Sequence, residues 1–239
     1  MTAHMARYGT TSVDLARIAV TQRDNAAVNT KAQMRNRITI DDHQSSPIIV
    51  DPYHLLDCCL QSDIGQAIIV TSAERARDLR QGAVVIEAIG GGLRPSDTPF
   101  WSMNRPEVVT DLYARAGISA ADLDFAQLYD PFTGSCLLHI EGFGLSPEGE
   151  FGAWAAAGNH TLDGATPVNT SGGLLSEGHA GGLNHVVEAV QQLRPNGVAD
   201  DLCDGGHDFD RSRCRQVRDA EIGLVSAEDG ESSLILRRG

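Results

Sequence analysis

The chain has 239 residues, which predicts one large domain or two small ones, and 41% of them are hydrophobic, enough for a sizeable core. The formal net charge of −13 argues against nucleic acid as the main partner, because neutralising phosphates requires a basic face. Lys31 is the only lysine, so any anion site would depend on arginines and backbone amides. With no secretory signal and no long apolar run, we expect a soluble cytoplasmic protein without a membrane span.

The cysteines predict reduced thiols rather than a disulfide framework, because their number is odd and two are adjacent. They are Cys58, Cys59, Cys136, Cys203 and Cys214. The adjacent pair is more typical of core thiols than of a nucleophile. Cys203, His207 and Cys214 have a spacing that matches no standard zinc pattern, so no metal site is predicted.

The first 91 residues combine two helices, two strands and a long irregular segment. In chain order they are a helix over 11–29, an irregular excursion over 30–65, a buried strand over 66–71, a helix over 72–80 and a strand over 83–89. Thr11 or Ser12 caps the first helix, and Thr71 with Glu74 forms a capping-box pattern for the second. A domain boundary near Gly82 is expected, because regular alternation of strands and helices begins there.

The rest of the chain continues this alternation. In chain order it predicts a helix over 106–117, a strand over 125–129, a helix over 133–141, a short strand at 167–168, a helix over 180–193, and an antiparallel hairpin of 216–225 with 232–236. A glycine turn at 90–92 and an acidic insertion at 195–210 interrupt it. The pattern indicates an α/β layered fold with helices on both faces of a sheet.

The most informative segment is the glycine-rich stretch 167–182, which contains His179. Its glycines let backbone N–H groups crowd around a ligand or an oxyanion, where a Cβ atom would obstruct. An amphipathic helix is predicted to follow, with apolar residues at helical spacing. They are Leu183, Val186, Val187, Val190 and Leu193. His179 would then lie at a helix N-terminus, able to act as an acid, a base or a hydrogen-bond donor.

Two other polar clusters stand out, at 127–133 and at 169–171. In the first, Tyr129 follows a strand, the usual place for function in an open α/β sheet. Tyr129 and His179 at two strand ends could face one cleft, protonate an enolate or take a proton from a β-hydroxyl. The structural alternatives are a packed tyrosine with its hydroxyl at the surface and a histidine of a glycine loop without catalytic function.

Together these motifs resemble the thiolase superfamily, specifically the lipid-transfer-protein-type thiolases and the related steroid side-chain aldolases. The segments that carry the resemblance include 8–11, 52–63, 128–133, 141–144, 169–179 and 187–194. The resemblance implies a thiolase-like layered fold, with a mixed sheet and helices on both faces. Residues 1–82 would be the middle region and the end of the N-terminal thiolase domain, and 83–239 the C-terminal thiolase domain. The N-terminal half of the full fold would be missing.

The resemblance also implies roles for individual residues. His179 matches the catalytic loop histidine, and Tyr129 stands where the family places an Asn or His that holds an oxyanion-hole water. A substrate- or CoA-binding role is implied for six further residues, Asn169, Ser171, Gly172, Gly173, Gly178 and Asp130. Nothing matches the part with the nucleophilic cysteine, and residues 228–236 lack the second catalytic cysteine. Claisen condensation by a two-cysteine route is therefore not expected.

The function expected from this resemblance is a thiolase-like acyl-CoA enzyme. It would cleave a C–C bond of a sterol or fatty acyl-CoA by acid–base chemistry, with CoA as part of the substrate and no separate cofactor. The alternative is a non-catalytic acyl-CoA- or lipid-binding subunit, or a truncated fragment. Since half of a thiolase sheet leaves an unpaired edge, a homodimer is expected. The resemblance adds a small OB-fold and zinc-ribbon protein as a partner.

Overall fold

The computed structural model describes residues 1–79, 81–91, 106–194, 210–227 and 232–239. The helices in these ranges are α1 (Thr2–Tyr8), α2 (Ser12–Ala27), α3 (Ile40–Ser45), α4 (Ala73–Ala76), α5 (Pro106–Ala116), α6 (Thr133–Gly142), α7 (Phe151–Ala156), α8 (Gly173–Ser176) and α9 (Leu183–Gln192). The strands are β1 (Ile48–Val50), β2 (Tyr53–His54), β3 (Val84–Gly90), β4 (Phe125–Gln127), β5 (Ile222–Ser226) and β6 (Ser233–Arg238).

Four strands form a mixed sheet in the order β3-β6-β5-β4. β4 and β5 are parallel, whereas β6 is antiparallel to both β5 and β3. Side chains alternate between two cores: Leu224 packs with Leu112 of α5, and the next residue, Val225, packs with Leu193 after α9. Helices therefore cover both faces of the sheet, as the alternation of elements predicted.

Helix α2 confirms the helix predicted over 11–29. Thr11 caps it, and Asp14 completes a reciprocal capping box with Thr11. The helix ends at Ala27 and packs against α6, α7 and α8. Its predicted inner face is buried, with Leu15 and Ile18 in the main core.

The strand predicted over 66–71 is wrong. Residues 59–72 form no regular structure, and Ile69 and Val70 are 90% and 74% exposed. An apolar run becomes a buried strand only when a neighbouring strand and a core receive it, and no described strand pairs with this one. The helix after it is also shorter than predicted: α4 has four residues, and Ser72 rather than Thr71 caps it.

Smaller differences concern the other predicted strands and the irregular segment. Residues 30–65 contain α3, the short β1–β2 hairpin and a 3₁₀ turn over Leu55–Asp57. Val168 makes a single parallel bridge to Ala126 and no strand. β5 begins at Ile222 rather than near residue 216, because Gln216 and the Val217 N–H bond to Gln192 of α9 instead of to a neighbouring strand. The predictions for residues 92–105, 195–209 and 228–231 lie outside the described residues.

The position and orientation of α9 differ from the prediction. The helix begins at Leu183 rather than near residue 180, and its buried face is largely polar. That face consists of Asn184, His185, Glu188, Ala189 and Gln192. The apolar stripe is only partly covered, and Leu183 is 38% exposed. The polar face points inward because it bonds to the 170–177 loop and to Arg215.

The cysteine prediction is confirmed for three residues and wrong for one. Cys58, Cys59 and Cys136 are free thiols, whereas Cys214 is disulfide-bonded. No helix in the described ranges is long and apolar enough to cross a membrane.

Candidate active site

Tyr129 lies two residues beyond the end of β4, at the edge where the parallel strands β4 and β5 both end. Its backbone N–H donates to Ser226 Oγ at the end of β5, with an N···O distance of 3.1 Å. The side chain is 7% exposed. This edge is where open α/β sheets bind their ligands.

His179 lies in the loop between α8 and α9 and contacts Tyr129. Its Nε2 is 3.1 Å from Tyr129 Oη, and the two rings meet edge to face. Its backbone N–H donates to Ser62 Oγ at 3.1 Å. The two side chains predicted to share a cleft are thus hydrogen-bonded to each other. His179 precedes α9 by four residues, so it does not lie at the helix N-terminus as predicted.

Cys59 is a neighbour of His179 that sequence reasoning placed among core thiols. Its Sγ is 3.7 Å from His179 Nδ1, on the opposite side of the ring from Tyr129. Burial, together with the negative charge of Asp130, raises the pKa of the Cys59 thiol, so it is protonated near neutral pH. Cys59 and His179 are 120 positions apart, so no local pattern connects them. The sequence signal that could have pointed to Cys59 was the resemblance of segment 52–63 to the family.

Asp130, predicted to bind substrate, is fully buried and holds α8 in place. Its carboxylate accepts the Leu174 N–H, with distances of 3.0 and 3.1 Å to the two oxygens. His185 Nε2 is 3.0 Å from Oδ1, within ion-pair distance but outside hydrogen-bond alignment. Gly173 has a φ of +60°, and a Cβ there would lie 2.2 Å from Asp130 Oδ2. The close approach of α8 to Asp130 therefore requires this glycine.

Asn169 and Ser171, predicted to bind substrate, are also fully buried and point inward. The Asn169 amide accepts the Leu128 N–H at 2.6 Å and donates to the Leu128 carbonyl at 2.9 Å. It thus fixes the chain between β4 and Tyr129. Ser171 Oγ donates to Glu177 Oε2 at 2.7 Å. A direct role in substrate binding stays a prediction for both residues.

Gly172 and Gly178 let the chain around α8 pack closely against α2 and Gln33. A Cβ at Gly172 would lie 2.6 Å from the Ala26 Cβ of α2, and one at Gly178 would lie 3.1 Å from Gln33 Nε2. Their predicted contact with CoA likewise remains a prediction.

A buried network of polar side chains stabilises the stretch of chain that carries His179. Burial and the nearby Glu188 raise the pKa of Glu177, while the Ser171 and Asn184 side chains donate hydrogen bonds to it. Glu188 Oε1 pairs with Arg215 Nη1 at 2.5 Å, and both side chains are almost fully buried. This network fixes the path of the chain that carries His179.

A cavity of about 520 Å³ opens at the same edge of the sheet. Apolar side chains dominate its walls, including Ile89, Leu183, Val186, Val225 and Leu234. Gly182 also lines it, and a Cβ there would lie 3.3 Å from the Tyr129 ring. The cavity therefore approaches Tyr129 only through Gly182, and neither Tyr129 nor His179 lines it. In the described ranges no cluster of His, Cys, Asp or Glu side chains could hold a metal ion.

Comparison with known proteins identifies the family. The family model "Thiolase C-terminal domain-like" matches residues 98–203. A 17-hydroxy-3-oxo-4-pregnene-20-carboxyl-CoA lyase of Mycobacterium tuberculosis H37Rv is 42% identical over 205 residues, covering 82% of this chain and 53% of the relative. The chain belongs to the thiolase superfamily.

Two further matches of this thiolase-superfamily chain are described as aldolases. A steroid side-chain-cleaving aldolase of Thermomonospora curvata is 40% identical, covering 82% of this chain and 52% of the relative. A solved structure described as an Ltp2-ChsH2(DUF35) aldolase superposes with a TM-score of 0.84 at 37% identity, covering 99% of this chain and 61% of the other. The family resemblance and the thiolase-like fold are confirmed. The chain spans about half the length of the curated relatives it matches.

Proposed function

We propose that this chain carries the C–C bond-cleaving site of an acyl-CoA lyase of the retro-aldolase type. Its substrate would be a CoA thioester with a β-hydroxyl group on a sterol side chain or a fatty acyl chain. The observation that carries the proposal is the 3.1 Å contact between Tyr129 Oη and His179 Nε2 at the carboxyl edge of β4 and β5. The names of two relatives, a CoA lyase and a steroid side-chain-cleaving aldolase, support it.

The proposed reaction needs no redox partner. The β-hydroxyl loses its proton, its oxygen forms the new carbonyl, and the electrons of the broken Cα–Cβ bond become a thioester enolate. A proton then reaches Cα, so the net change moves one proton from oxygen to carbon. Tyr129 Oη would exchange this proton with the substrate, and His179 would stabilise the charge that develops on the tyrosine oxygen or the thioester.

Acid–base cleavage suits this site better than acyl transfer. The described thiol beside His179, Cys59, has a raised pKa and is mainly in the protonated form, which is a poor nucleophile. CoA would enter as part of the substrate, and we propose no separate cofactor. Among the binding residues predicted above, Gly173 and Gly178 would act indirectly, because the absence of a Cβ lets the chain pack closely against Asp130 and Gln33.

The activity of Tyr129→Phe tests this proposal. With a β-hydroxyacyl-CoA as substrate and ketone release as the readout, we expect the rate to fall about 10²-fold or more, the usual contribution of a general acid–base group. Tyr113→Phe is the matched control. The Tyr113 hydroxyl donates to the Phe143 carbonyl at 2.7 Å, so its removal affects a structural hydrogen bond and not the Tyr129–His179 pair. Unchanged cleavage in Tyr129→Phe would exclude the proposed role.

A second candidate function is a non-catalytic acyl-CoA- or lipid-binding subunit. The apolar cavity and the exposed Ile86 and Ile89 on β3 favour it, because such surface suits a ligand or another subunit. Calorimetry that shows acyl-CoA binding, together with the absence of ketone release from the wild-type protein, would support it over the lyase.

The assembly and the domain division follow as further proposals. We propose that residues 1–82 belong to the middle region and the end of an N-terminal thiolase domain, and residues 83–239 to the C-terminal domain. Association as a homodimer, or with a small OB-fold and zinc-ribbon protein, would cover the exposed apolar side chains. The similar structure described as an Ltp2-ChsH2(DUF35) aldolase supports a partner protein.

A further inference from the structure

Cys59 occupies a fixed position that the proposed reaction does not use. Its N–H donates to the Pro131 carbonyl at 2.9 Å, one residue beyond the Tyr129–Asp130 pair. The next residue, Leu60, donates to the Leu174 carbonyl of α8 at 3.3 Å. Backbone hydrogen bonds of Cys59 and Leu60 thus tie this stretch of chain to the segment after Tyr129 and to α8, and the Cys59 Sγ lies against His179.

The two ring nitrogens of His179 have different partners. Nδ1 is 3.7 Å from Cys59 Sγ, and Nε2 is 3.1 Å from Tyr129 Oη. A neutral imidazole carries one proton, so one nitrogen donates and the other accepts. If the thiol donates to Nδ1, the ring proton is on Nε2 and points at Tyr129 Oη. If Nδ1 carries the proton, Nε2 must instead accept from the tyrosine.

We infer that Cys59 is a positioning residue whose thiol donates to His179 Nδ1 and keeps the ring proton on Nε2. Two features support this direction. A protonated thiol has a hydrogen to donate, and burial beside Asp130 favours the protonated form. Sulfur is also a weaker acceptor than the tyrosine oxygen. A ring proton on Nδ1, directed at the Cys59 Sγ, would therefore form a weaker hydrogen bond than a ring proton on Nε2, directed at Tyr129 Oη.

The consequence for catalysis rests on the proposed function. An Nε2–H that donates to Tyr129 Oη stabilises negative charge on that oxygen as it gives up its proton. Cys59 would then act on Tyr129 through His179, without touching the substrate. Partners that orient a functional histidine through its second nitrogen have this effect in metal sites and catalytic triads.

The tautomer of His179 tests the inference without any substrate. In protein labelled with ¹⁵N-histidine, long-range ¹H–¹⁵N spectra distinguish Nε2–H from Nδ1–H, and His179→Gln assigns the signal among the eight histidines. We expect Nε2–H in the wild type and in Cys59→Ser, whose hydroxyl still donates. Cys59→Ala should give a mixture of tautomers. Nδ1–H in the wild type, or an unaltered tautomer in Cys59→Ala, would overturn the inference.

Kinetics separate this inference from the proposed function. If the chain cleaves a β-hydroxyacyl-CoA, Cys59→Ala should lower kcat about tenfold with little change in KM, and Cys59→Ser should recover part of it. Cys58→Ala is the matched control, because the Cys58 thiol contacts the His54 carbonyl instead of His179. Equal kcat values for Cys59→Ala and Cys58→Ala would contradict the role. Absence of cleavage in the wild type would refute the proposed function and leave the tautomer result standing.

Discussion

The glycines at the start of α8 are constrained by how closely the chain approaches Asp130 and α2. Gly173 is the clearest example, because its φ is +60° and a Cβ would lie 2.2 Å from Asp130 Oδ2. Asp130 cannot move away cheaply, since it is fully buried and accepts the Leu174 N–H. The requirement for glycine here is steric, because a side chain and the Asp130 carboxylate would need the same space.

Gly173→Ala should therefore destabilise the protein more than backbone strain alone explains. A side chain in the left-handed region costs about 1–2 kcal/mol, and displacement of the buried carboxylate adds to it. Gly117→Ala is the matched control, because Gly117 has a φ of +65° and open space around its Cβ position. Urea unfolding of both variants measures the difference. Equal losses of unfolding free energy would show that the Asp130 contact contributes nothing.

At the same scale, the sequence predicted some site residues and missed another for a physical reason. Tyr129 and His179 each lie in a local motif, a strand end and a glycine loop, so their positions followed from short-range patterns. Cys59 and Ser62 reach His179 from an irregular segment that has no period of its own. Such contacts depend on tertiary packing. Local sequence also could not show that Asn169 and Ser171 point inward.

Among the secondary-structure elements, α9 shows what a periodic pattern can and cannot predict. The spacing of its apolar residues predicted a helix, and the helix is present. It did not predict which face is buried, because the inward face carries Glu188 and Gln192, whose partners Arg215 and Val217 come from a distant segment. The failed strand over 66–71 has the same origin, since an apolar run does not specify whether a neighbouring strand exists.

The ion pair between Glu188 and Arg215 joins α9 to the segment before β5, and its removal should be costly. Arg215→Met leaves the buried Glu188 carboxylate unpaired, which we expect to reduce the unfolding free energy by about 3–5 kcal/mol. Adding Glu188→Gln should restore part of this loss. The amide oxygen still accepts from Thr170 and Gln192 but carries no charge. Denaturant unfolding of both variants is the measurement. A double variant no more stable than Arg215→Met would show that the buried charge is not the cause.

For the molecule as a whole, the fold was predictable because alternation of elements and family motifs agreed on one architecture. The strand that failed, over 66–71, lies at its surface, where Ile69 and Val70 are exposed. Exposed apolar side chains occur on the hairpin β1–β2 and on β3, where Ile48, Val50, Ile86 and Ile89 are 43–61% exposed. Apolar surface of this kind is typical of a site that binds a ligand or another protein.

The exposed edge of the sheet predicts self-association through β3. Within the described sheet β3 pairs on one side with β6, and it presents Val85, Ile86 and Ile89 to solvent. An apolar edge strand is a template for another strand, and a lysine on it opposes such pairing. We therefore expect the purified chain to form dimers in sedimentation equilibrium, and Ile86→Lys to weaken them at least about tenfold. Val13→Lys is the matched control, since Val13 is a comparably exposed apolar residue on α2. A monomer at every concentration, or equal effects of the two lysines, would exclude β3 as the interface.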